Sequence, residues 1–190
     1  MKATLALLAD MEAHNRVRKL AWEFHQKYRT GILPLPPHIS LKQPFGVTNL
    51  TQLEQYMDQF ARSIVPFKVT LTKLAIVPAS FQGTEYGILW IDVQETSELR
   101  QLHNRLNAEL SEQLGPVPAE HDGDAYHFHM TVMLGGQPID IYHRFYRELD
   151  SPVIDYSFIV RELAIFVYDE PLGIDSDYLC YKILPIGISN

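Results

Sequence analysis

The chain has 190 residues, a formal net charge of −7 at neutral pH and one cysteine, Cys180. At this length one hydrophobic core suffices, so a single domain over 1–190 is expected. The acidic balance without a Lys/Arg run excludes a protein that grips long nucleic acid through many phosphates, and a lone cysteine excludes an intramolecular disulfide or a Cys-rich zinc pattern.

The opening "MKATLALLAD" is apolar but too short to span a bilayer, and it ends on Asp10 without a small-residue cleavage pattern. It is read as a buried strand rather than a secretory leader, which with the lone cysteine points to the cytoplasm and to no membrane partner. Val17, Leu20, Ala21, Phe24 and Tyr28 then follow helical spacing, with Asp10 as cap and Gly31 as stop. After the strand "HISL" a second helix carries Leu53, Tyr56, Met57, Phe60, Ala61 and Ile64, opened by Thr51 and Glu54 at capping-box spacing. "FKVTLTKLAIV" and "YGILWIDV" read as strands. A third helix presents Leu99, Leu102, Leu106, Leu110 and Leu114 and stops at Gly115 and Pro116. The segment "GPVPAEHDGDAY", rich in Pro, Gly and Asp, is a loop placed to cover a site. It leads into the strand "HFHMTVML". A fourth helix follows Pro138 with Ile139, Tyr142, Tyr146 and Leu149 on one side, and "YSFIVRELAIFVY" and "YLCYKIL" read as closing strands, Cys180 being a small core residue in the last.

This order is strand, helix, strand with histidine, helix, strand, twice over, with one extra strand at the end. The two histidines stand 91 positions apart, and the helices and strands after them repeat at nearly the same interval. The expected fold is therefore α+β and bilobal. Two pseudo-twofold halves, residues 1–83 plus the C-terminal strand and residues 84–190, each form an antiparallel sheet with helices outside, leaving a groove between the sheets.

Side chains alternate along a strand, so His38, Ser40 and Lys42 share a face while Ile39 and Leu41 point into the core. In the second strand His127, His129, Thr131 and Met133 face outward and Phe128, Met130, Val132 and Leu134 inward. Each strand thus presents an imidazole two residues ahead of a hydroxyl. Paired imidazoles suit proton transfer near neutral pH, one neutral and one charged. With a phosphodiester between them, one ring takes a proton from the attacking group and the other protonates the departing oxygen, while Ser40 and Thr131 donate to the non-bridging oxygens. Lys42 adds a positive charge, and His127 lies at the rim of the same face. His14, His25, His103 and His143 fall on helices and are read as surface or boundary residues. Trp90 is a core residue by default, with stacking on a base as its functional alternative.

"HISL" at 38–41 and "HMTV" at 129–132 resemble the paired His-x-Ser/Thr-x motifs of the two-histidine phosphoesterase superfamily, in its 2′-5′ RNA ligase-like (RNA 2′,3′-cyclic phosphodiesterase) branch. "PHISLKQPF", including Lys42, and "YGILWIDVQETSELRQLHNRLNAEL" extend the resemblance over nearly the whole chain. It implies that His38 and His129 are the acid and base, and that Ser40 and Thr131, with Lys42 and His127 beside them, bind the phosphate. The implied activity is opening of a cyclic phosphate, a 2′,3′-cyclic nucleotide or RNA end, without metal or cofactor, with ligation as the secondary reverse reaction. A monomer is the favoured state. Two arginines common in members acting on RNA are absent here: the chain runs "MLGG" after the second motif and "GILPLPPHISL" before the first.

Two other readings remain open from the residues alone. His121, Asp122, Asp124, His127 and His129 cluster in "HDGDAYHFH", and His-x-His on a strand can place two ligands on one metal, as in a metal-dependent hydrolase. Alternatively, the groove only binds a nucleotide or a phosphorylated ligand without turning it over.

Overall fold

In the computed structural model, described over residues 1–81, 84–119, 122–149, 151, 153–169 and 178–187, twelve elements follow one another. They are β1 (Lys2–Leu8), α1 (Met11–Tyr28), β2 (His38–Gly46), α2 (Leu50–Arg62), β3 (Lys68–Phe81), β4 (Thr84–Val93), α3 (Ser97–Leu114), β5 (His129–Leu134), α4 (Ile139–Glu148), β6 (Val153–Ile159), β7 (Glu162–Tyr168) and β8 (Tyr178–Pro185).

Local chemistry sets the helix ends. Asp10 accepts the Ala13 N–H at 2.8 Å and caps α1, as its position predicts. At the other end Arg29 rather than Gly31 takes the left-handed conformation, φ 55°, its N–H bonding the His25 carbonyl. The α2 cap is Asn49, which accepts the Gln52 N–H at 3.1 Å, so the capping box expected at Thr51 and Glu54 lies inside the helix. Thr96 caps α3 and Gly115 follows its last residue.

The strands form one antiparallel sheet in the order β6-β3-β4-β5-β2-β1-β7-β8. The α+β class with antiparallel strands and helices is as the sequence reading has it, but the two expected sheets do not stay separate: β2 and β5 pair at Ile39↔Met130 and join them. The order is symmetric about that junction, with β2-β1-β7-β8 on one side and β5-β4-β3-β6 on the other. β3 lies beside β4 and β7 beside β1, so each half of the chain lends a strand to the other half of the sheet. The run "YSFIVRELAIFVY" accordingly divides at Val160 and Arg161: β6 pairs with β3, and β7 pairs with β1.

Packing crosses the junction too. α1 lies on β5 and α3 on β2, so each histidine strand is backed by a helix from the other half of the chain. Ile39, Leu41, Met130, Val132 and Met133 are buried on that side, and burial of each such side chain stabilises by roughly 1.5–3 kcal/mol. The sheet face away from these helices is thereby held on a rigid base. No helix among the described residues is long and apolar enough to cross a membrane.

Candidate active site

Ile39 and Met130 are paired across the junction and both fully buried toward the helices. Their sequence neighbours must therefore point to the opposite face, and His38, Ser40, His129 and Thr131 are all half-buried there. Extending the antiparallel register by one residue in each direction sets His38 opposite Thr131 and Ser40 opposite His129. The two imidazoles occupy one diagonal of this quartet and the two hydroxyls the other. Diagonal neighbours on adjacent strands lie about 7–8 Å apart, which leaves room for a tetrahedral phosphorus between the ring edges.

Both rings are fixed in the same way. His38 Nδ1 lies 2.8 Å from the Pro36 carbonyl and His129 Nδ1 2.8 Å from the His127 carbonyl. A carbonyl only accepts, so each Nδ1 carries the proton and donates it, and each Nε2 is left to act on a ligand.

Their surroundings differ. His38 is cross-strand from Leu8 and meets the edge of Phe166, ring centroids 4.7 Å apart, at a small apolar cluster of Ala6, Leu8, Ala164 and Phe166 against which Leu35 and Cys180 pack. Burial lowers its pKa to about 4 against the pull of the Pro36 carbonyl, with His129 and Arg18 lowering it further. His129 is cross-strand from Asp92 and stacks on Trp90 at 4.1 Å. Burial lowers its pKa as well, while the His127 carbonyl and Asp92 favour its charged form. The site therefore holds one imidazole strongly biased to neutrality and one with a carboxylate neighbour.

Lys42 does not join this face. Leu5 pairs with Lys42 and Ala6 with Ser40, which leaves Leu41 as an extra residue in β2; Leu89 pairs with Met133 and Trp90 with Thr131, which leaves Val132 extra in β5. Each bulge falls three residues after its histidine and reverses the alternation beyond it. Lys42 is consequently buried and ion-paired to Asp122, and Met133 is fully buried rather than outward. The expected positive charge at the phosphate site is neutralised on the other side of the sheet.

His127 is exposed, with Nε2 at 2.9 Å from Asp92 Oδ1 and its ring 5.5 Å from Trp90. It meets His129 both through its carbonyl and ring to ring, centroids 6.4 Å apart. Two residues not singled out by the sequence reading also belong here. Asp92 holds the Trp90 indole N–H at 3.0 Å as well as His127. Tyr126 is buried, shares a hydrogen bond with Ser40, accepts one from Gln43 at 3.0 Å and stacks on His103 at 4.9 Å; burial pushes its phenol up to about 12. His103, expected at a surface or boundary, is fully buried in α3 with Gly123 N–H aimed at its Nε2. The position of Asp92, two residues after Trp90 on the same strand face, was the available signal; nothing local marks Tyr126.

Of the residues proposed for a metal, Asp122 is taken by Lys42 and His127 by Asp92, and His121 lies outside the described residues. Among the described residues no three His, Cys, Asp or Glu side chains gather in a way that would hold a metal ion.

Known proteins resemble this chain in sequence and in fold. A sequence model of the 2'-5' RNA ligase superfamily matches residues 9–171. A protein of Geobacillus thermodenitrificans named as a candidate phosphoesterase is 26% identical over 96 residues, 50% of this chain and 53% of that protein. One from Bacillus licheniformis is 22% identical over 93 residues, 48% and 52% of the two chains. The matched region thus spans about half the length of these curated relatives. Among solved structures, TT0787 of Thermus thermophilus superposes with a TM-score of 0.66 at 18% identity, covering 98% of both chains. Escherichia coli LigT complexed with 3'-AMP superposes with a TM-score of 0.56 at 16% identity, covering 97% of both. At these identities the likeness establishes the fold. With the match extending through both histidine strands, the chain belongs to the 2'-5' RNA ligase superfamily, the two-histidine phosphoesterases.

Proposed function

We propose that this chain is a metal-independent phosphodiesterase that opens a cyclic phosphate, a 2′,3′-cyclic nucleotide or RNA end, with His38 as general base and His129 as general acid. One observation carries the reading: two imidazoles, each with Nδ1–H given to a main-chain carbonyl two residues earlier, stand diagonally across one strand junction with a hydroxyl opposite each. Neutral His38 takes a proton from water through Nε2 as the oxygen attacks phosphorus. The bond from phosphorus to one ribose oxygen breaks on the far side, and His129 Nε2–H protonates that oxygen. Ser40 and Thr131 donate to the non-bridging oxygens as charge builds there. Water has been added across one P–O bond, and the rings, their protonation states exchanged, reset through solvent. The division of roles follows from Leu8 and Phe166 around His38 and Asp92 beside His129. The LigT crystals holding 3'-AMP and phosphate support a small phosphorylated ligand on this fold.

The test is hydrolysis of a panel of cyclic phosphates by wild type, His38→Ala and His129→Ala in buffer with a chelator. Each alanine is expected to lower kcat by roughly 10²–10⁴, with the wild type unaffected by the chelator. Wild-type turnover in either variant removes the two-histidine mechanism, chelator sensitivity favours a metal site, and tight binding without turnover by folded wild type favours a binding protein. The kcat/KM profile against pH should be bell-shaped. Its acid limb, where the base protonates, follows His38 toward about 4, and its alkaline limb, where the acid is lost, falls below the ordinary histidine value of 6.5.

A further inference from the structure

Each half of the sheet carries an arginine that grips the segment leading into its histidine. Arg18 on α1 donates from Nη1 to the Leu33 carbonyl at 2.6 Å and from Nη2 to the Leu35 carbonyl at 2.5 Å. Arg100 on α3 donates from Nη1 to the Gly123 carbonyl at 2.9 Å and from Nη2 to the Tyr126 carbonyl at 2.6 Å. Leu35 is followed by Pro36, whose carbonyl orients His38; Tyr126 is followed by His127, whose carbonyl orients His129. In both halves, then, the guanidinium holds the peptide next to the one that fixes the ring. Only a planar fork with several donors spans two carbonyls in this way.

The two forks differ in charge. Arg100 is paired with Glu95 through two contacts, Nε at 2.8 Å and Nη2 at 2.7 Å. Among the described residues no carboxylate pairs with Arg18. Arg18 also lines a pocket with Leu33, Leu35, Pro36, Pro37, His38 and Thr131.

We propose that Arg18 and Arg100 are matched positioning residues for the two histidines, and that the charge of Arg18, which no described carboxylate pairs, against the Glu95-neutralised charge of Arg100, helps keep His38 the neutral partner. The groups bearing on His38 are few: His129 comes from β5, Arg18 from α1 and the Pro36 carbonyl from the chain ahead, while β1 and β7 bring Leu8 and Phe166. Arg18 opposes protonation of His38. His129 faces Asp92 and Trp90 from β4, His127 from the chain ahead and Tyr126 at 6.3 Å; the charges acting on it are those of His127 and Asp92. Arg100 is not one of them.

The kinetic half of this inference rests on the acid–base reading above, so the decisive measurement is independent of turnover. Ring-proton NMR titrations of His38 and His129 are compared in wild type, Arg18→Gln, Arg18→Lys and the double variant Arg100→Gln/Glu95→Gln, which removes a neutral pair whole. Arg18→Gln should raise the His38 midpoint. Arg18→Lys should hold it near the wild-type value, and the double variant should leave the His129 midpoint in place. On a substrate that wild type turns over, all three should lose roughly tenfold or more in kcat with KM less affected, because a misplaced ring loses its alignment. An unmoved His38 midpoint in Arg18→Gln, a shift of His129 in the double variant as large as that of His38, or wild-type kcat in Arg18→Lys overturns the proposal. If Arg18→Gln does not fold, Arg18→Lys decides it through kcat and the His38 midpoint. Absence of turnover in wild type would sink the phosphodiesterase reading while the titrations still decide the electrostatic one.

Discussion

His38 and His129 begin matching strands, give the same hydrogen bond to a carbonyl two residues back and precede matching bulges, yet the neighbouring strand puts Leu8 and Ala6 beside one motif and Asp92 and Trp90 beside the other. The backbone repeats while the first contacts of the rings do not. A symmetric frame supplies placement, and substitution on the adjacent strand then gives two chemically identical groups different surroundings, which the proposed function uses to make one the base and the other the acid.

The first way to break this comparison is at the hydroxyls, where the halves should act alike. On the proposed function Thr131→Val and Ser40→Ala each remove one donor to a phosphoryl oxygen, and each should lower kcat by about 10²–10³ with the melting temperature little changed, since both residues are only half-buried. A much smaller loss for Ser40→Ala would mean that its bond to Tyr126 occupies the hydroxyl and that the hydroxyl diagonal is as unequal as the histidine one.

The bulges provide the next test, because equivalent positions beyond them carry different residues. Lys42 and Met133 are both turned into the core, but Lys42 brings a charge that Asp122 must answer. Lys42→Met leaves Asp122 without its partner and should cost about 3 kcal/mol in urea unfolding, the lower end of what breaking a buried pair costs, with KM unchanged. Lys42→Met/Asp122→Leu should recover part of the loss. A large rise in KM at unchanged stability would instead return Lys42 to the phosphate.

Lys42 also marks where the sequence stops being legible. Alternation correctly places His38, Ser40, His129 and Thr131 opposite the buried Ile39, Leu41, Met130 and Val132, because a two-residue period is local. A bulge is set by the partner strand's register, so neither Lys42 nor Met133 can be oriented from its own segment. The repeat of elements is readable for the same local reason, whereas the exchange of β3 and β7 between halves depends on pairings made at long range. Asp10 is visible as a cap; Asn49 is passed over because Thr51 and Glu54 imitate the same pattern two residues on. His103 stands at helical spacing from the buried Leu99, Leu106 and Leu110 and lies on the core face of α3, stacked on Tyr126 and edge-on to Phe128, so its burial is legible from the spacing and is hidden by its residue type.

The smallest effect bears most directly on which ring is the acid. Asp92 faces His129 and favours its imidazolium, so Asp92→Asn, which keeps an oxygen for the Trp90 N–H, should lower the pKa of His129. If His129 is the acid, the alkaline limb of kcat/KM moves to lower pH. Activity at neutral pH then falls roughly threefold to tenfold as less of the ring carries its proton, and the acid limb, which belongs to His38, stays where it is. If His129 were the base, the same substitution would move the acid limb instead and raise activity at low pH, since the base would remain neutral further down. The two assignments therefore predict opposite ends of one profile, and a profile in which neither limb moves would mean that the Asp92 charge is spent on His127 and that the asymmetry between the halves rests on Phe166, Leu8 and Arg18 alone.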